Sequence, residues 1–191
     1  LPHATSVTVT VTPTFTTPFN LTIWNFHFDH EHMGPNIFCD RNLTTRQKYE
    51  AVERGEQRKK YFGVVLETPI ILGGDANSAS HLDWVTSTQA YHCGFTYKWP
   101  VTKLIADLGY VDSYRLLNHD PVMKPGNTWS TVMALDPQDR IDFIFYKGKG
   151  RLVPIQSQTY AGFEHNQPSP AHIFNSWPSD HYAVVTDFLV F

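Results

Sequence analysis

Cysteine is scarce in this sequence, no apolar run approaches the length of a bilayer crossing, and charge of neither sign dominates. Only Cys39 and Cys93 occur among 191 residues, so the chain is not a disulfide scaffold; it can form at most one bridge, and two buried thiols are the other reading. Without a long apolar run, a membrane-spanning helix is excluded within these residues. A formal net charge of -3 supplies no global basic field, so a polyanion would have to be held by a local patch. Internal repeats and low-complexity tracts are missing as well, which excludes solenoid architectures. The amino end lacks the basic-then-apolar pattern of a signal peptide, as expected for a processed or truncated start.

What is present is a chain with 41% hydrophobic and 14% aromatic residues, enough for one substantial core and a single domain over residues 1–191. Valine and threonine alternate over residues 7–11, which predicts a half-buried strand; residues 13–18 predict a turn and residues 19–28 the second strand of a hairpin. Residues 44–61 carry charges in helical register behind Thr44 and Thr45, either of which can cap a solvated helix. The run Pro69-Ile70-Ile71-Leu72 predicts a buried strand with a tight exit at Gly73 and Gly74. Short helices are expected over 78–90 and 101–108, the second stopping at Gly109. Residues 110–115 lead into a polar loop, residues 141–146 and 182–185 read as strands, and residues 151–178 as a long surface loop over the site. Strands alternating with helices predict an α/β sandwich of two mixed β-sheets packed face to face, with helices outside.

Three segments place acids, an amide and an imidazole at the ends of these strands: Gly74-Asp75-Ala76-Asn77, Arg140-Ile141-Asp142 and Ser179-Asp180-His181. Strand ends aim side chains in fixed directions and so can build a site. Metal-assisted phosphoryl transfer uses such a set: a carboxylate orients water, an amide holds a phosphate oxygen, and an imidazole steered by a carboxylate answers developing charge. Each segment alone also fits a structural role. Asp75 to Asn77 can be an Asx turn, Ser179 to His181 a cap, Asp142 a buried partner of Arg140, and His27 or Trp129 an ordinary core residue. His30 and His32 have a zinc-like spacing with no carboxylate or cysteine cluster to complete it, so a solvated loop is expected there.

Two further segments, Asn25-Phe26-His27-Phe28-Asp29 and Gly126-Asn127-Thr128-Trp129-Ser130, complete an ordered set of five. With them the chain resembles the endonuclease/exonuclease/phosphatase superfamily, the DNase I-like metal-dependent phosphodiesterases. By that resemblance Asp75 orients or deprotonates the attacking water, Asn77 and His27 contact the phosphate, and His181, paired with Asp142, contacts it as well. Asp180 binds the metal, Asn25 and Asp29 orient His27, with Asn25 counted on the substrate side, and Trp129 stacks near substrate.

The implied cofactor is magnesium, or manganese, and the implied partner a phosphodiester in nucleic acid or in a phospholipid headgroup. The resemblance runs from about Val7 to Phe191 but matches the later part of the family domain. No glutamate precedes Glu31, so the family's opening strand, helix and metal-binding Glu have no counterpart, and metal binding by this chain alone is expected to be weak. Three functions follow: a phosphodiester hydrolase acting by in-line attack of water, a noncatalytic binding or structural protein on the same scaffold, or one piece of a divided enzyme whose sheet a second polypeptide completes. The triplets Asn20-Leu21-Thr22 and Asn42-Leu43-Thr44 fit N-glycosylation acceptors and, with a possible bridge, point toward secretion.

Overall fold

The computed structural model describes residues 4–28, 30, 34–40, 44–45, 47–48, 69–148 and 150–191. Most of the helix expected over 44–61, together with Asp29, Glu31, His32 and Asn42, lies outside the described residues. The start of that helix is visible: Thr44 Oγ1 accepts from Gln47 N, and Gln47 Oε1 accepts from Thr44 N at 3.1 Å, a reciprocal cap.

The chain begins with an antiparallel hairpin, β1 (Ala4–Val11) and β2 (Phe19–His27). Parallel pairing of β2 with β3 (Ile70–Asp75) needs a long crossover, which passes through α1 (Gly34–Cys39). β5 (Asp142–Lys147) runs antiparallel to β3 and takes the two-residue β4 (Val111–Asp112) on its far side, giving a five-stranded mixed sheet of order β1-β2-β3-β5-β4. β6 (Leu152–Tyr160) and β7 (Ala183–Val190) form a separate antiparallel pair. The fold is thus α/β with two sheets; the larger is mixed, whereas the smaller is purely antiparallel.

One face of the large sheet packs on α2 (Pro100–Asp107), whose Val101 and Ile105 sit one turn apart against Phe26, Phe28, Leu72, Phe143 and Phe145. Each such fully buried aliphatic side chain contributes roughly 1.5–3 kcal/mol. α2 ends at Leu108 and Gly109 takes φ +85°, the left-handed stop that the sequence predicts. The two sheets meet through α3 (Ser113–Leu117): Ser113 Oγ donates to Ile144 O at 2.7 Å and lies 2.9 Å from Thr186 Oγ1, and Tyr146 packs edge-on to Phe188.

Four expectations change. β1 is exposed along nearly its whole length instead of half-buried, because it is an edge strand; its threonines pair across the hairpin, Thr8 with Thr22 and Thr10 with Asn20. Residues 78–90 form turns and a short 3-10 helix, Thr86–Tyr91, in place of an α-helix. Side chains there compete for the backbone: Ser80 Oγ accepts from Leu82 N, and Thr88 Oγ1 donates to Asp83 O. Residues 110–115 form β4 and the start of α3, which Asp112 caps by accepting from Arg115 N. The expected loop over 151–178 begins with the strand β6, where Pro154 is accommodated beside a register shift; the loop proper starts after Tyr160.

A candidate active site at the ends of three strands

Register brings the acids together. His27, Asp75 and Asp142 are direct neighbours across β2, β3 and β5, so one row of the sheet ends in an imidazole and two carboxylates. Gly74 makes this possible: at φ +148°, a Cβ there would lie 1.9 Å from Phe26 O, so only glycine lets β3 run this close to β2. Asp75 Oδ2 then stands 3.5 Å from His27 Nε2.

Asn77 turns back under the strand end. Its φ of 46° is left-handed, a conformation that asparagine tolerates, and its backbone N–H donates to Asp75 Oδ1 at 2.6 Å. Its side-chain Nδ2 donates to Phe28 O at 2.7 Å. The Asx turn and the placement of Asn77 at the cleft are therefore one arrangement.

His181 arrives from the loop before β7. Its Nδ1 lies 2.8 Å from Asp142 Oδ2, and its ring meets Trp129 edge-on with centroids 4.9 Å apart. Thr128 Oγ1 accepts from both Ile141 N (2.9 Å) and Asp142 N (3.0 Å), fixing the entry to β5. The 179–181 segment is held by Thr131 N donating to Asp180 O and by Trp177 Nε1 donating to His181 O.

These residues line a cleft of about 640 Å³ with His27, Asp75, Asn77, Trp129, Asp142, Asp180 and His181 on its walls; His30, Asn36 and Ser179 also contribute. Asp75, Asp142 and His181 each offer one ligand atom, all within 4.8 Å of one another. Asp180 is exposed at the rim and lies outside that close group. Asn25, two residues back along β2, is exposed and is not on the cleft wall; two residues of strand displace it by roughly 6–7 Å from His27. No sequence motif marks Asn36, which α1 delivers from a distant stretch.

Electrostatics distinguish the acids. Burial, with the facing Asp142 charge, pushes the Asp75 carboxyl up to about 6, against the opposing Asn77 N–H. Burial works against the charged form of His181, but the Asp142 hydrogen bond and charge prevail and raise its pKa. Beneath the site, Arg140 does not pair with Asp142: its Nη atoms donate to both oxygens of Asp112, at 3.1 and 2.7 Å, and its Nε donates to Asp83 Oδ2 at 2.7 Å. Arg115 closes this buried network through Asp83 Oδ1. Cys39 and Cys93 form a disulfide, tying α1 to the segment after the 3-10 helix.

Residues 58–181 match the model of the endonuclease/exonuclease/phosphatase family. An uncharacterized protein of Caenorhabditis elegans is 37% identical over 97% of this chain, which spans 65% of that relative's length. The catalytic domain of Xenopus laevis APE2 superposes with a TM-score of 0.55 at 15% identity, covering 97% of this chain and 55% of that one. An AP endonuclease from Archaeoglobus fulgidus superposes at 0.51 with 16% identity, covering 91% and 65%. With residues 58–181, more than half of its length and including Asp75, Asp142 and Asp180, matched by the family model, the chain belongs to the endonuclease/exonuclease/phosphatase family.

Proposed function

We propose that the cleft hydrolyses phosphodiesters by in-line attack of water, with a divalent cation, magnesium or manganese, as cofactor. The supporting observation is the convergence of Asp75, Asp142 and His181 within 4.8 Å, beside Asn77, His27 and Trp129. The family's name spans endonucleases, exonucleases and phosphatases, whose common substrate feature is a phosphate ester.

The donor set fits a hard divalent ion: Asp75, raised to about 6 by burial first and then by the facing Asp142 charge, belongs to a carboxylate pair whose mutual repulsion a cation would relieve. Asp142 would hold that ion, with Asp180 at the rim as a further carboxylate, and the ion when bound would draw charge from a phosphate oxygen. Asp75 in its ionised form orients a water and accepts its proton. The water oxygen bonds to phosphorus as one P–O ester bond breaks, and the departing alcohol oxygen takes up a proton. Asn77 and His27 steady phosphate oxygens. His181, held through Nδ1 by Asp142, keeps Nε2 for the phosphate, and its raised pKa favours the cation there.

A companion polypeptide is the second reading. The β6–β7 pair is two strands wide, and Val153, Ile155, Val185 and Leu189 are exposed on it, an open edge and apolar surface suited to an added strand. Such a piece would also carry any further metal ligand. The noncatalytic alternative is left for activity assays to exclude. We extend the proposal to export: the disulfide suits an oxidising compartment, and Asn20 is exposed on β2 for a glycan.

The test is release of 4-nitrophenolate from bis(4-nitrophenyl) phosphate with Mg²⁺ or Mn²⁺, on this chain and on the product of the whole gene. Turnover lost on chelation and lowered at least ~100-fold by His181→Ala is expected. Silence of both proteins with an intact circular dichroism spectrum would leave the noncatalytic scaffold as the function.

A further inference from the structure

One loop follows the cleft residue Trp129 and another ends in the cleft residues Asp180 and His181, and both carry large apolar side chains exposed to water. The loop over residues 130–138 follows Trp129 and holds Leu135 at 101% exposure; the loop over 161–182 ends in Asp180 and His181 and holds Phe163 (98%), Ile173 (72%) and Phe174 (83%). These side chains have not been stranded by a slack loop. Asn175 Oδ1 accepts from Gln167 N and Asn175 Nδ2 donates to Gln167 O, which staples the longer loop across its own base. Ser169 N donates to Val132 O, joining the two loops. The Phe163 ring abuts Tyr160, and Tyr160 abuts Trp177, whose Nε1 donates to His181 O, so the apolar tips and the catalytic imidazole share one framework.

Charge selects the occupant. Neither loop contains a lysine or arginine, and their formal charges are Asp136, Glu164 and Asp180. A nucleic acid backbone or an anionic bilayer gains most of its affinity from lysine and arginine, which these loops do not have. An electroneutral interface demands none, and it rewards insertion of exposed aromatic and aliphatic tips.

We infer that the exposed apolar tips of the 130–138 and 161–182 loops dock the protein on a zwitterionic phospholipid surface, presenting headgroup phosphodiesters to the cleft. The docking surface stands on the loops alone; only the headgroup as substrate rests on the hydrolase reading.

The experiment is flotation of the full-length protein with phosphatidylcholine/sphingomyelin vesicles, comparing wild type with the combined variant Leu135→Ser, Phe163→Ser, Ile173→Ser, Phe174→Ser. Wild type should float, the variant's partitioning should fall at least tenfold, and both should turn over bis(4-nitrophenyl) phosphate equally. In a Phe174→Trp reporter, brominated lipid should quench the new fluorescence. The proposal is overturned if wild type stays with the bulk solution, if it binds only vesicles containing phosphatidylserine, or if the variant floats like wild type. It is equally overturned if the four substitutions abolish binding to single-stranded DNA, or convert a dimer to a monomer in sedimentation, because the tips then serve a nucleic acid or a second copy. Flotation with no turnover of the soluble ester would refute the hydrolase and keep the docking surface; turnover without flotation would do the reverse.

Discussion

Two clusters of aspartates lie on either side of the β5 entry, and among the described residues one is paired with arginines and the other with imidazoles. Below, Asp83 and Asp112 are buried with Arg115 and Arg140, and although burial alone would raise the Asp112 carboxyl, Arg140 holds it below its usual range. At the cleft, Asp75 and Asp142 face each other, and the ion-pair partners seen among the described residues are the imidazoles of His27 and His181. The same side chain therefore serves two ends. Where the fold supplies arginine, the acid is a structural brace; where it supplies only imidazoles, burial and the facing carboxylate leave the acid at about 6. Asp139 is a third case: fully buried, it accepts from Trp84 Nε1 at 2.6 Å with His92 Nε2 3.6 Å away, and burial pushes it up to about 7 against the Trp84 bond and the Arg140 charge.

The contrast is sharpest in stability. Arg140→Met leaves Asp83 and Asp112 without their shared cation, and should cost about 3–5 kcal/mol, seen as a lowered denaturant midpoint. Asp75→Asn should act in the opposite sense. The folded-state pKa of Asp75 is raised, so its stabilising contribution is present in full below 3.8 and is lost as pH rises through about 6. The shift corresponds to on the order of 3 kcal/mol at most, so the stability of Asp75→Asn relative to wild type should climb between pH 4 and pH 7. A flat difference across that window would break the comparison.

A smaller effect is expected at His181. Its raised pKa means that protonated His181 stabilises the fold below pH 6.5 and ceases to do so as pH rises through the elevated value. Asp142→Asn should lower that midpoint, read by NMR titration of the ring; an unchanged midpoint removes the pair. Smallest of all is the contrast along the cleft wall. Trp129→Ala, which strips the ring packed on His181, should lower kcat/KM roughly tenfold, whereas Asn25→Ala, off the wall, should change it less than about threefold.

Much of the site was legible because strand ends obey period two and a fixed register. Asp75 and Asn77 follow an apolar run that reads as a buried strand and Asp142 opens another, and the pairing of Asp142 with His181 was implied by the family resemblance. Less legible were features that depend on tertiary neighbours. Asn25 shares its strand with His27, yet the cleft ends before reaching it. That Arg140 pairs with acids beneath the site could be read from the sequence, but that these acids are Asp112 and Asp83 only the folded core reveals. β6 was hidden by its proline, glutamines and serine, which read as loop until β7 supplied a partner edge; residues 78–90 lost their helix to serine and threonine side chains whose bonds depend on that turn.

The most direct measurement is hydrolysis and thermal unfolding recorded together for Asp75→Asn and Asp112→Asn. The account predicts that Asp75→Asn loses at least ~100-fold in phosphodiester turnover while melting at or above the wild-type temperature, and that Asp112→Asn melts well below it. If Asp75→Asn melts low like Asp112→Asn, or turns over substrate at the wild-type rate, the cleft acids are structural and the assignment of this cleft as the active site is wrong.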